Sequence, residues 1–181
     1  EGENLKFILP QIKKFSDDII VVDGHSNDGS KEICESLNIK FILDNNLGKG
    51  DAQKLGVKEA KNDYVIFIDG DGSHDLMDVE KLYKHITENN YDLVLGSRMT
   101  GGSLDILSNT SFMGFIRFTG NNFLILLFNL VFKKELTEVL YSFRILKKKS
   151  FIDANITANK FDIELDILIK FAIKKFKISE L

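Results

Sequence analysis

Tyr64-Val65-Ile66-Phe67-Ile68-Asp69-Gly70-Asp71-Gly72-Ser73-His74-Asp75 sets a continuous apolar run against an abrupt cluster of acids and glycines. The run is wholly β-branched or aromatic, which reads as a strand buried on both faces, and the acids and glycines behind it read as the turn that ends it. The same punctuation recurs upstream, where Ile19-Ile20-Val21-Val22 ends at Asp23, and downstream, where Leu93-Val94-Leu95 ends at Gly96. Between these runs the spacing is helical: Leu5, Ile8, Leu9, Ile12 and Phe15 first, then about Ser30 to Leu37, about Gly50 to Ala60, and about Met77 to Asn90. A further short strand is predicted from Lys40 to Leu43. Helices alternating with doubly buried strands predict an α/β domain with a mostly parallel sheet. In such sheets ligands bind beyond the carboxyl ends of the strands, which directs attention to residues 23–29, 69–75 and 96–102.

The rest of the chain is consistent with one domain. It has 181 residues, 44% hydrophobic and 28% charged, an ordinary globular mixture that argues against disorder and low complexity. A net charge of -3 removes nucleic acid as a default partner. The single cysteine, Cys34, has no internal disulfide partner and no zinc-type spacing around it, which fits a reducing compartment. The chain opens at Glu1 and closes inside the strand-like run Phe176 to Leu181, so a piece of a longer protein is expected. Phe112 to Phe132 is apolar almost all round and holds six of the fifteen phenylalanines. Its longest apolar stretch, Phe123 to Phe132, is about half the roughly 20 residues a membrane span needs. Beyond it the pattern predicts a strand from Val139 to Leu146, a lysine-rich turn at Lys147 to Lys149 and a helix from Ile163 to Lys174. Pro10 marks a kink in the first helical pattern.

Asp69 and Asp71, at i and i+2 with a glycine between them, can converge on one hard cation; acid plus glycine after a strand is also a plain turn. An EF-hand alignment fits Asp69, Asp71, Ser73 and Glu80 to the first, third, fifth and last loop positions, but His74 falls where the sharp turn demands glycine, and a strand precedes the loop. A haloacid-dehalogenase-type phosphatase would use Asp69 as nucleophile and Asp71 as acid/base. It also needs a later strand-end aspartate pair, and the next strand here ends in Gly96-Ser97-Arg98, while Asp162 and Asp166 lie in a helical pattern. Gly48-Lys49-Gly50 lacks the upstream glycine and following Ser/Thr of a Walker loop. His25 and His74 are isolated histidines in polar turns, which reads as a structural or solvated role before a metal-binding one.

Only three of the 24 basic residues are arginine: Arg98, Arg117 and Arg144. In a lysine-rich chain these stand out, because the planar guanidinium binds phosphate or carboxylate bidentately. Arg98 follows a strand end, Arg144 follows Tyr141-Ser142-Phe143, and Arg117 lies among Phe112, Phe115 and Phe118. The competing readings are codon bias with chance salt bridges and, for Arg117, a cap on an apolar face.

VVDGHSNDGS, NLGKGDAQKLGVKEA, DYVIFIDGDGSHD, DLVLGSRM and FDIELDI, in that order and spacing, resemble family 2 glycosyltransferases of the GT-A fold, in particular the branch of dolichol-phosphate mannose synthases and polyprenyl-phosphate sugar transferases. The resemblance implies a Rossmann-like three-layer sandwich with a mostly parallel central sheet whose first strand is missing here. Residues 1–181 would form one domain truncated at both ends, with a nucleotide-binding half over about 1–100 and an acceptor half over about 101–181.

The implied activity is metal-dependent, inverting transfer of a hexose from a nucleotide sugar, of GDP-mannose or UDP-glucose type, to a polyprenyl or dolichyl phosphate. Asp23 and Lys49 would contact the donor nucleoside, Asp69 and Asp71 would form the DxD motif that holds Mg²⁺ or Mn²⁺ against the diphosphate, and Ser73 would add a ligand or a bound water. Asp71 is the direct ligand in this reading, Asp69 the nucleotide contact or supporting carboxylate, and Arg98, Arg117 and Arg144 act on phosphate at the catalytic centre. Glu164 and Asp166 match an acidic segment near the acceptor; their bland reading is a solvated helix face. Glu138 and Ser142 depart from the aspartate and glycine usual in relatives. The implied location is cytoplasmic, at the cytosolic face of a membrane, with peripheral contact through Phe112 to Phe132. The alternatives are a saccharide hydroxyl as acceptor, or a nucleotide-binding module without turnover.

Overall fold

A computed structural model describes residues 2–96 and 112–181, with the helical backbone alone for 112–118. The elements in chain order are α1 (Gly2–Ile12), β1 (Ile20–Asp23), α2 (Ser30–Ser36), β2 (Lys40–Leu43), α3 (Lys49–Glu59), β3 (Tyr64–Phe67), α4 (Asp78–Glu88), β4 (Leu93–Leu95), α5 (Phe112–Phe132), β5 (Arg144–Lys147), α6 (Lys148–Ala154), α7 (Ile163–Ile173) and β6 (Ile178–Glu180). Arg98 and most of segment 96–102 lie outside the described residues, as does the side chain of Arg117.

β1 and β2 pair in parallel, and a second sheet runs in the order β3-β5-β4-β6. β5 is antiparallel to both neighbours, whereas β6 is parallel to β4. Hence β3, β4 and β6 point one way and β5 alone runs against them. Side chains alternate across a strand, and here the alternation sorts the core into layers. Val65 and Phe67 of β3, Leu93 and Leu95 of β4 and Leu146 of β5 pack with Phe128 of α5, Phe151 of α6 and Ile167, Leu168 and Phe171 of α7. Tyr64, Ile66, Val94 and Ile145, on the opposite face, pack with Val79, Leu82 and Ile86 of α4. That is helix, sheet, helix: the expected three-layer sandwich. A third cluster, Leu5, Leu9, Cys34 and Ile39, joins α1 and α2 to the β1-β2 pair.

Two local expectations are corrected. The strand expected from Val139 begins only at Arg144, because residues 139–143 leave the sheet to carry Ser142 and Tyr141 toward the end of β3. No turn occupies Lys147 to Lys149: β5 passes into α6 at Lys148, whose N–H donates to Asp63 O and whose ammonium donates to Ala60 O. A run of lysines looks like solvated loop, but here the Lys148 ammonium reaches a backbone carbonyl just before β3 and the Lys147 ammonium reaches the Asn90 side chain. α1 runs from Gly2 to Ile12 with Pro10 inside it, where the missing N–H removes one backbone hydrogen bond.

Candidate active site

β3 delivers Ile68 and then Asp69 to the open end of the sheet, and the turn that follows is built from its own polar groups. The Ser73 N–H donates to Asp71 Oδ1 at 2.9 Å, and the Asn4 side chain donates to Asp71 O at 3.0 Å. The Ser73 bonds hold the Asp71 carboxyl below the usual range. Asp71 is exposed, so an ionised carboxylate stands in solvent at the strand end.

Asp69 is held from several sides. Lys49 Nζ lies 3.1 Å from Oδ1 and 3.4 Å from Oδ2; the Ser142 hydroxyl donates to Oδ2 at 2.5 Å. The same ammonium lies 3.1 Å from Glu164 Oε1, so it bridges a carboxylate after β3 and one in the first turn of α7. The pairing with Glu164 is ionic rather than a well-aligned hydrogen bond. Burial pulls the Lys49 ammonium down, but Glu164 and Asp69 outweigh it and hold the group above its ordinary value.

The glycines around Lys49 explain how it gets there. A Cβ on Gly50 would lie 2.7 Å from Ala158 O, and Gly48 sits at φ 110°, a backbone region that side chains disfavour. Asn159 O in turn accepts from the Asp51 N–H at 3.1 Å, closing the start of α3. Gly48-Lys49-Gly50 is therefore a close-approach seam between α3 and loop 158–160, and this seam aims Lys49 at Glu164. Phe161, 78% exposed, places its ring 5.9 Å from the same ammonium.

Other expected residues do different work. Arg144 is only 1% exposed, and its Nε and Nη2 donate to Tyr141 O while Nη1 donates to Glu164 O at 3.0 Å. Burial pushes its pKa down to about 10 against the pull of Glu164, Asp69 and Glu138, so it stays charged at neutral pH. A guanidinium spent on two carbonyls is a brace between loop 139–143 and α7, not the open phosphate clamp expected. Asp23 accepts from the N–H and hydroxyl of Ser26 at 2.7 and 2.6 Å and thus caps its own turn. Asp166 accepts from the Thr157 and Ala158 N–H groups and pairs with Lys170. Glu164, 3% exposed, is no solvated helix face.

His74 and Ser142 were the two functional signals least visible in the sequence. His74 is buried and joins Asp69 and Ser142 in one network. A polar-turn setting hides such a histidine; the aromatic neighbours Tyr141 and Phe143 that enclose it come from 67 and 69 residues away.

The model of the family described as "Glycosyl transferase family 2" matches residues 2–153. Glycosyltransferase AglJ of Haloferax volcanii is 28% identical over 88% of this chain and 50% of its own length. The dolichyl-phosphate beta-glucosyltransferase of Dictyostelium discoideum is 31% identical over 60% of this chain and 38% of its own. The chain thus spans about half, or less, of the length of the curated relatives it matches. Among solved structures, glucosyl-3-phosphoglycerate synthase of Mycobacterium tuberculosis superposes with a TM-score of 0.73 at 17% identity, over 99% of this chain and 65% of that one. That likeness concerns the fold, which is GT-A. With the family model covering most of its length and the DxD carboxylates at the end of β3, the chain belongs to glycosyl transferase family 2.

Proposed function

We propose that this domain transfers a hexose from a nucleotide sugar to a phosphate-bearing acceptor, with a divalent cation held by Asp71. The observation that carries the reading is the exposed, ionised Asp71 beside an Asp69 fixed by Lys49 and Ser142, at the end of a sheet where such folds bind ligands. The donor set suits Mg²⁺ or Mn²⁺. These hard cations take one or two carboxylates and complete their shell with phosphate oxygens and water, and the described residues hold no cluster of three or more His, Cys, Asp or Glu that would cage an ion without substrate. Asp71 would be the protein's ligand, Ser73 lies on the same turn, and Asp69 stands behind them. When bound, such a cation stabilises the negative charge gathering on the departing nucleoside diphosphate. Asp23, with acceptor capacity beyond its two bonds to Ser26, is assigned to the base or ribose, and Arg98 and Arg117 to phosphate.

A phosphate acceptor is favoured over a sugar hydroxyl. A hydroxyl needs a general base, and the two acidic residues expected near the acceptor are occupied: Glu164 is buried against Lys49, and Asp166 holds loop 157–158. A phosphate is already ionised and calls for positioning alone. One relative is named for a dolichyl phosphate, which supports a phosphate acceptor; the structural neighbour in complex with Mn²⁺, UDP-glucose and phosphoglyceric acid supports a nucleotide-sugar donor with a divalent cation. Calorimetry with UDP-glucose and GDP-mannose tests the donor side: binding of one of them that depends on Mn²⁺ is expected, and metal-independent or absent binding of both overturns the reading.

We assign the acceptor to the lipid-linked class, working at the cytosolic face of a membrane. Among the described residues no helix is long and apolar enough to cross a bilayer. α5 nevertheless exposes Phe123, Leu126, Leu127, Leu130 and Val131 along one side, and binding of such a face to a lipid surface scales with the apolar area inserted. Phe128, expected among the lipid-facing phenylalanines, is only 4% exposed and belongs to the core, while Phe132 is half-buried. Changing Phe123 and Leu130, 62% and 69% exposed, to serine should abolish flotation with phosphatidylcholine liposomes containing polyprenyl phosphate while sparing the melting temperature. Flotation equal to the parent's counts against the bilayer. Phe128→Ser should instead destabilise the fold by about 3–5 kcal/mol, the cost of emptying a large core site.

A further inference from the structure

The Asp69 backbone N–H points at His74 Nδ1, 3.2 Å away. An amide can only donate, so Nδ1 is the accepting nitrogen, and a neutral ring then carries its proton on Nε2. His74 Nε2 lies 3.3 Å from the Ser142 hydroxyl, and that hydroxyl donates to Asp69 Oδ2 at 2.5 Å. The ring of bonds therefore begins and ends on one residue: Asp69 N–H to imidazole, imidazole to hydroxyl, hydroxyl to Asp69 carboxylate. The imidazole is itself held by a stack on Phe143, with centroids 4.8 Å apart, and an edge contact with Tyr141 at 5.4 Å. Ser142 and His74 are both buried, so solvent does not compete for these bonds.

We propose that Ser142 and His74 are positioning residues for the DxD motif, a pair that fixes both the backbone and the carboxylate of Asp69 and thereby sets donor affinity without touching the donor. This rests on the reading of Asp69 as a donor-side carboxylate. Lys49 ties the carboxylate to Glu164 and α7, and the Ser142 hydroxyl ties Oδ2 to the loop before β5. The sequence departs from the glycine expected at position 142, and a glycine there would have no hydroxyl to offer. Asp69 in this chain therefore depends on a bond supplied from the acceptor half, which couples the loop before β5 to the donor site.

Two measurements on the protein test the pair. The first needs no donor: nitrogen-detected NMR of the histidine ring at neutral pH should show the Nε2–H tautomer for His74, and Ser142→Ala should speed exchange of that proton about tenfold or more, as for a lost buried hydrogen bond. An Nδ1–H tautomer, or unchanged exchange, overturns the proposal. The second is a mutant cycle, in which binding is coupled only if the two residues act together. With Mn²⁺ and whichever of UDP-glucose and GDP-mannose binds the parent, Ser142→Ala should weaken binding about tenfold, the scale of a bond to a charged group. The same change in an Asp69→Asn background should have little further effect. Equal losses in both backgrounds, or a loss matched by a fall in melting temperature, mean that Ser142 serves the fold rather than Asp69. If neither donor binds the parent, the transfer reading fails, and the imidazole spectrum alone decides the positioning pair.

Discussion

Asp71→Ala lowers turnover about 10²- to 10³-fold, the loss that follows removal of one group stabilising charge in a transition state. It should also abolish the Mn²⁺-dependent part of donor binding. The argument rests on how little else Asp71 does. Its carboxylate stands in solvent, and its one structural task is to accept from Ser73 within its own turn. Replacing it should therefore leave the melting temperature close to the parent's, whereas a structural aspartate would lower both readouts together. Asp71→Asn is the sharper control. It keeps the shape and an acceptor for the Ser73 N–H but removes the charge, so it should resemble the alanine variant in metal-dependent binding. If either variant turns over as the parent does, or the parent works equally well in EDTA, Asp71 holds no cation.

What could be read from the sequence was local. The run from Tyr64 to Phe67 became β3 because β-branched and aromatic residues satisfy a strand buried on both faces wherever it lies. The acids after it fell at the strand end by continuity of the chain. For the same reason α2, α3, α4 and α7 begin and end within a residue or two of their expected bounds, whereas α1 lies about three residues earlier than its apolar pattern and α6 was not expected.

What could not be read was pairing between distant segments. Nothing near Arg144 announces that its partners are carbonyls of Tyr141 and Glu164, and a rare arginine beside a small-residue loop looks equally suited to phosphate. Glu164 sits in a pattern that suggests a wet helix face, but loop 158–160 and the glycines of α3 fold Lys49 over it. Likewise, β5 enters the sheet between β3 and β4 and runs against both, a placement set by tertiary packing and not by the four residues of the strand.

Arg144 provides the second large effect, and it should appear first in stability. Arg144→Leu removes the fork that donates to Tyr141 O and Glu164 O, and with it the buried cation that faces Glu164, Asp69 and Glu138. Breaking a buried charged arrangement by deleting one partner costs about 3–5 kcal/mol, a large share of the roughly 5–15 kcal/mol that holds a domain together. At this chain length that corresponds to a fall in melting temperature of about 10 °C. Arg144→Lys separates the brace from a phosphate clamp. Lysine keeps the charge, but a single ammonium cannot reproduce the fork that grips Tyr141 O through two nitrogens and Glu164 O through the third. As a brace, the lysine variant should melt between parent and Arg144→Leu, with donor affinity falling only as far as the fold loosens. A lysine variant that melts like the parent yet loses turnover would place the guanidinium on a ligand. Loop 139–143 would then have to open to release it from Tyr141 and Glu164 before phosphate could bind.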